Sequence, residues 1–295
     1  RIKGDTWHLL PKPSVEELYP NMKNERDGNF RRIKKELNKK ISDITEVWMC
    51  GVKKRRIAHE NKIFSWQDKD CNADNLNFKN VLWIKNIKKI NSYPTLYLAN
   101  EFFDAIPIKQ FFKRKEGWVE RFVELKNKKK ATFKEQKANI KKLEQNLNFE
   151  ISKNQNIIEY SPKAFEYLKI ICNKIQREDG GILIIDYGYL DSEMHDTLQA
   201  INNHKYSNVL ENIGNSDITY NISFNLFQKL IKQFHNLNSV VTNQKKFLTS
   251  MGILQRAEII SKNIPFSKKT DLFYRIRRLI DKNQMGELFK VMLIK

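Results

Sequence analysis

The sequence predicts an α/β fold on a mostly parallel sheet over residues 81–295, and three observations predict it. Ile182-Leu183-Ile184-Ile185 is a continuous apolar run, the composition of a strand buried on both faces. Such runs alternate with segments whose apolar residues recur at helical spacing. Polar side chains then appear where strands end: Asn100, Glu101 and Asp104 follow Leu96-Tyr97-Leu98-Ala99, and Asp186 follows Ile185. In open α/β folds the carboxyl edge of the sheet is where ligands bind. A carboxylate there is costly unless it meets solvent, a partner or a ligand.

The elements read as follows. Residues 1–80 carry the weakest pattern: Arg31 to Ile41 suggests a short basic helix, Ile44 to Cys50 a strand closed by Gly51, and Asp68 to Asn80 a loop. The pattern sharpens at Val81. Val81 to Ile84 and Leu96 to Ala99 read as strands, and Phe111-Phe112 with Trp118 to Leu125 as strand or hairpin structure. Residues 132–147 suggest an exposed amphipathic helix, and 148–158 a polar connector. Ser161-Pro162 starts a helix, with Ser as N-cap and Pro at the first helical position. Phe165, Leu168, Ile171, Cys172 and Ile175 share its inner face, and Asp179-Gly180-Gly181 ends it. Ser223 caps a further helix with Phe224, Phe227, Leu230, Ile231 and Phe234 inward. Val240-Val241 suits a strand, Phe247 to Met251 a helical turn closed by Gly252, Thr270 to Asp281 a helix, and Leu288 to Ile294 a last strand. No internal repeat is visible. The expected organisation is an N-terminal segment, 1–80, and one domain, 81–295.

Composition sets limits on function. A chain of 295 residues with 40% hydrophobic and 30% charged residues is ordinary for a globular protein. No apolar run approaches the roughly 20 residues that span a bilayer, and the start does not resemble a signal peptide. The first residue is Arg1 rather than Met, which fits a fragment or a processed product. Cys50, Cys71 and Cys172 are widely spaced and form neither a disulfide framework nor a zinc pattern, which points to a reducing compartment. The histidines show no ligand-pair spacing, so no metal site is expected. The net charge of +20 invites a nucleic-acid reading. The lysines, however, are spread along the chain with Glu135 and Glu144 interleaved, as on solvated helix faces. Heavy use of Lys, Asn and Ile also fits codons rich in A and T. Nucleic acid is therefore disfavoured, although the field still favours acidic partners.

Several segments together resemble one family, the MidA-like class I S-adenosylmethionine-dependent methyltransferases, which includes a mitochondrial arginine methyltransferase that assists respiratory complex I assembly. The stretches that carry the resemblance are residues 99–111 (Ala99-Asn100-Glu101-Phe102-Phe103-Asp104-Ala105-Ile106-Pro107 onward), Glu159-Tyr160-Ser161-Pro162, Gly181 to Tyr189, and Asp196 to Ala200 with His204. Asp217-Ile218-Thr219 and Gln284 to Val291 complete the series in the family's order, and Trp83 also fits. The resemblance implies a Rossmann-like sheet with helices on both faces and inserted helical or hairpin segments. It further implies S-adenosyl-L-methionine as cofactor and a protein substrate, with a respiratory complex I subunit as candidate. The location it implies is the bacterial cytoplasm or the mitochondrial matrix.

It also gives the strand-tip residues a chemistry. Guanidinium is protonated at neutral pH and its nitrogens are poor nucleophiles. Two carboxylates spaced to grip it can localise charge on one nitrogen and leave another better able to attack. Glu101 and Asp104 are the expected pair, Asn100 orients the strand tip, and Asp186, Tyr187 and His204 are candidate substrate-binding residues. The competing reading makes Asn100 a helix N-cap with two acids complementing the dipole, at roughly 0.3–1 kcal/mol each. Pro107 disfavours helix at Ile106 and weakens that reading. Asp186 could equally cap its loop, with Gly188 permitting a tight turn. His204 and Asp217 also suit loop-organising hydrogen bonds.

One departure stands out. The family carries a Glu-x-Gly-x-Gly type loop after its first strand, where backbone N–H groups approach the cofactor. No Gly-x-Gly pair precedes residue 81 here, and Gly51 is the candidate remnant. Cofactor-binding residues are therefore unassigned. Divergence, truncation or a shifted reading frame upstream would each explain this; the abrupt sharpening near residue 80 favours the last. The alternative function is a catalytically inactive methyltransferase-fold assembly factor or scaffold without the cofactor loop.

Overall fold

The structure, a computed structural model, describes residues 8–24, 30–47, 49–78, 81–90, 92–126, 130–203 and 205–295. The chain forms two units, Arg1–Lys89 and Ile90–Lys295.

In the first unit the basic helix forms as expected, α1 (Arg31–Ile41), and stops at Ser42 in the left-handed region. The strand expected at Ile44 to Cys50 does not form in its described part. Asp43 instead accepts the Thr45 N–H at 2.8 Å and winds Ile44–Glu46 into a single 3-10 turn. Short polar side chains offer the backbone such local alternatives to a ladder. A helix that the sequence did not signal, α2 (Val52–Glu60), begins after Gly51. Its Ala58 joins Ile44, Cys50, Ile63 and Leu76 in a closed apolar cluster, against which Trp83 packs. Val81 to Ile84 takes no strand partner; Trp83 is held by this cluster rather than by a sheet.

The second unit is built on a sheet of order β1-β6-β12-β11, with β1 (Thr95–Asn100), β6 (Gly180–Tyr189), β11 (Ser239–Asn243) and β12 (Phe289–Ile294). β1 and β6 run parallel, with Leu98 opposite Leu183 and Asn100 opposite Ile185. A short β10 (Ile222–Ser223) also pairs parallel with β6. β12 is antiparallel to both β6 and β11, so the expected mostly parallel sheet is in fact mixed. Its parallel half holds the strand tips that matter for the site.

Alternation along β6 sorts its residues onto two faces. Ile182 and Ile184 are buried on the face that receives α4 (Pro162–Glu178) and α5 (Phe224–Ile231). Both helices start on serine caps, as the sequence signalled: the Ser161 hydroxyl accepts the Ala164 N–H and the Ser223 hydroxyl the Leu226 N–H. On the opposite face Leu98, Leu183, Leu293 and Val240 fall in one row across four strands. Leu98 is 71% exposed in that row, and Leu96 beside it 87%.

A second sheet, β4-β3-β2-β5, comprises β2 (Lys109–Arg114), β3 (Gly117–Lys126), β4 (Lys130–Lys137) and β5 (Ile157–Tyr160). The helix expected over 132–147 is therefore half strand. Lys130–Lys137 pairs with β3, and only α3 (Ile140–Leu147) is helical. Helix-favouring Lys, Glu and Gln lose there to cross-strand pairing. A small third sheet joins β7 (Gln199–Asn202), β8 (Lys205–Ser207) and β9 (Asp217–Thr219). Helices α6 (Gln244–Ser250), α7 (Ile253–Lys262), α8 (Phe266–Ile280) and α9 (Met285–Leu288) lie between β11 and β12 in sequence.

Candidate functional site

β1 leaves the sheet at Asn100, and the turn that follows is held from β6. The Glu101 N–H donates to the Ile185 carbonyl at 2.9 Å. Glu101 itself sits at φ +45°, in the left-handed region. Non-glycine residues are uncommon there, and such positions concentrate at functional sites. The next three backbone N–H groups converge on one oxygen: Phe102, Phe103 and Asp104 donate to Asp186 Oδ2 at 3.2, 2.9 and 3.4 Å. Tyr187 donates its own N–H to Asp186 Oδ1 at 2.9 Å. Phe103 anchors the turn below, fully buried and edge-on to Phe227 at 5.4 Å.

These contacts divide the candidate residues by role. Asp186 is 0% exposed and its carboxylate is taken up by backbone donors, which is the loop-organising arrangement. It presents no surface to a substrate. Asp104 is 4% exposed, and its Oδ1 is buried with no hydrogen-bond partner. Its backbone is fixed by the Tyr220 N–H, which donates to the Asp104 carbonyl at 3.1 Å. Glu101 and Asn100 are exposed, with Asn100 Nδ2 3.4 Å from Glu101 Oε1. Tyr187 is half-buried and its ring lies 4.1 Å from that of Phe289. The structure thus brings Asn100, Glu101, Asp104, Asp186 and Tyr187 to one strand-tip cluster. His204 lies outside the described residues.

The electrostatics are those of acids kept close together. Burial, with the Glu101 and Asp217 charges, raises the Asp104 carboxyl above its ordinary value. Burial and then the Asp104 charge push Asp186 up to about 7, although the Phe103, Tyr187 and Asp104 N–H groups oppose them. Among the described residues no ion pair engages Glu101, Asp104 or Asp186. An acidic cluster with an unused buried oxygen is suited to a cation brought by a ligand.

Asp217, which the sequence suggested as a loop-organising residue, acts on Asp104 through its charge from the start of β9. Tyr220, whose N–H donates to the Asp104 carbonyl, was not singled out from the sequence. Glu159 was given no role either, although it carries a visible signal: it is a carboxylate inside the apolar strand Ile157-Ile158-Glu159-Tyr160. On the cofactor side the fit is poor. Gly51 has φ −92°, open to any residue, and follows a 3-10 turn rather than a strand. Among the described residues no strand precedes β1 to carry a glycine-rich turn.

Comparison with known proteins places these features. The family model described as "Putative S-adenosyl-L-methionine-dependent methyltransferase" matches residues 31–242, reaching into the segment before residue 81. The mitochondrial protein arginine methyltransferase NDUFAF7 of Xenopus tropicalis is 28% identical over 211 residues, which cover 71% of this chain and 49% of that protein. Its Caenorhabditis elegans homolog is 30% identical over 179 residues, covering 60% of this chain and 42% of that one. A Burkholderia thailandensis crystal structure bound to S-adenosyl-homocysteine superposes with a TM-score of 0.60 at 20% identity, covering 81% of this chain and 60% of that one. The chain spans about half the length of the NDUFAF7 proteins it matches.

Proposed function

The chain belongs to this S-adenosyl-L-methionine-dependent methyltransferase family, and from that premise we propose that its strand-tip acids form the acceptor side of a protein arginine methyltransferase. The observation that carries the reading is the Asp104 carboxylate. It is buried beside Glu101, one of its oxygens has no partner, and no cation neutralises it among the described residues. A planar guanidinium offers paired donors that match two such acids.

Glu101 and Asp104 hold the acceptor guanidinium and draw its charge toward one nitrogen, leaving another with a more available lone pair. Asn100 orients Glu101. Methylation releases one N–H proton, and a carboxylate with a raised pKa is suited to receive it. In this family S-adenosyl-L-methionine supplies the methyl group as an already activated sulfonium. The described residues do not fit that molecule, since no glycine-rich strand-to-helix turn is among them, so this chain's own chemistry is that of the acceptor.

The NDUFAF7 relatives are named mitochondrial, and among the described residues no helix is long and apolar enough to cross a membrane. The resemblance supports a respiratory complex I subunit as the acceptor protein, with the mitochondrial matrix or the bacterial cytoplasm as the place of action. A second reading, a methyltransferase-fold assembly factor without activity, is favoured by the poor cofactor fit. One experiment separates the two. The chain is incubated with S-adenosyl-L-methionine and an arginine-containing peptide, and the peptide is weighed by mass spectrometry. A mass gain on arginine that Glu101→Gln abolishes supports the enzyme; no gain, together with no cofactor binding by calorimetry, supports the scaffold.

A further inference from the structure

Glu159 lies in β5 and is 3% exposed, yet no cation pairs with it among the described residues. Its carboxylate is held by Gln110 Nε2 at 2.6 Å, by the Thr197 N–H at 3.3 Å and by the Thr197 hydroxyl. A hydroxyl has one proton to donate and lone pairs to accept with. Thr197 gives its proton to Glu159, and its oxygen accepts the Asn221 N–H at 2.8 Å. The preceding residue, Tyr220, donates its N–H to the Asp104 carbonyl at 3.1 Å. Two hydrogen bonds therefore lead from a buried carboxylate in the second sheet through Thr197 to Asn221, the backbone continues to Tyr220, and a third hydrogen bond reaches the Asp104 carbonyl.

We propose that Glu159 is a positioning residue, acting through Thr197 and the Tyr220–Asn221 backbone to fix Asp104 in the acceptor site. The proposal rests on the reading of Asp104 as an acceptor-binding residue. Packing alone does not call for a carboxylate here, because an apolar side chain of similar volume fills a buried strand position at lower desolvation cost. What the charge adds is direction. It turns the Thr197 hydroxyl so that its lone pairs point at Asn221, and low-dielectric surroundings strengthen each bond in the line. Burial, and after it the Asp186, Glu159 and Asp104 charges, raise the pKa of the Tyr220 phenol, which places this residue among the three acids.

The test uses the whole chain and four proteins: wild type, Glu159→Gln, Thr197→Val and Thr197→Ser. In Glu159→Gln an amide faces the Gln110 amide, and in Thr197→Val the hydroxyl is gone; Thr197→Ser keeps it. Amide hydrogen exchange at Tyr220 and Asn221 is expected to speed up about tenfold in the first two variants, to stay unchanged elsewhere in the main sheet, and to return to the wild-type rate in Thr197→Ser. In calorimetric titrations the same two variants bind an arginine-containing peptide about tenfold more weakly than wild type, and Thr197→Ser binds it as wild type does. Unaltered Tyr220 exchange overturns the proposal, and so does acceleration spread evenly over the second unit. If wild type binds no arginine-containing peptide, the acceptor reading fails, and the exchange pattern alone decides whether Glu159 holds the Asp104 backbone.

Discussion

Asp186 accepts the backbone N–H of Asp104 at 3.4 Å, and the Asp104 side-chain charge in turn raises the Asp186 pKa. The residue that organises the turn is thus coupled to the residue the turn presents. Any change in the charge of one is felt by the other.

Burial of Asp186, with that coupling second, has a pH signature. Asp186 is pushed up to about 7 in the folded protein, against about 3.9 for a free Asp side chain. A carboxyl raised on folding contributes its full stability below the unfolded value, and this is lost as pH rises through the folded one. Stability is expected to fall between about pH 4 and pH 7 by an amount on the order of a few kcal/mol. Asp186→Asn removes this slope and destabilises the turn by about 1–3 kcal/mol, since its amide opposes a backbone N–H. Thermal melts at several pH values check both; an unchanged slope in the variant contradicts the assignment.

Ser161 has two duties. Its hydroxyl accepts the Ala164 N–H at 3.0 Å as the cap of α4 and donates to the Pro107 carbonyl at 2.8 Å. Ser161→Ala is expected to cost about 1–2 kcal/mol, at the upper end for a cap because the Pro107 carbonyl loses its donor too. Urea unfolding measures it, with Lys163→Ala as a surface control.

Gly188 is fixed by space rather than by φ. A Cβ there would come within 2.3 Å of the Ile222 carbonyl oxygen and 2.6 Å of the Phe224 ring. Gly188→Ala must therefore push β10 and α5 away from β6. The expected loss is about 1–3 kcal/mol, read by chemical denaturation; a neutral result would mean that β10 does not pair as described.

β1 is an edge strand of the main sheet among the described residues, and Leu98 stands exposed on it. Exposed apolar edge strands template aggregation. Leu98→Lys is expected to raise the soluble fraction at high concentration while shifting the melting temperature by less than a few degrees. Light scattering against concentration checks it.

Much of the second unit was legible because its signals are local. Ile182 to Ile185 is apolar on both faces, and Ser161-Pro162 and Ser223 are caps that need no distant partner. What was not legible depends on partners far along the chain. Lys130–Lys137 has a helix-forming composition and becomes a strand only because β3 is there to pair with it. Val81 to Ile84 has strand composition and no strand to meet. In the first unit the core is closed by turns and by the Arg55–Asp43 pair at 3.5 Å, not by periodic faces, so periodicity could not find it. The site divides the same way. Asn100, Glu101 and Asp104 stand out at a strand end, whereas the grip of Asp186 on residues 102–104 spans more than eighty positions and leaves no local trace.

The central claim is that Asp104, with Glu101, receives a guanidinium. Calorimetric titration of an arginine-containing peptide onto wild type and Asp104→Asn, with a lysine-for-arginine peptide as control, tests it most directly. The expected result is binding by wild type that weakens about tenfold or more in Asp104→Asn and in the lysine control, as paired charge-assisted bonds are lost. Equal binding by wild type and Asp104→Asn would contradict it.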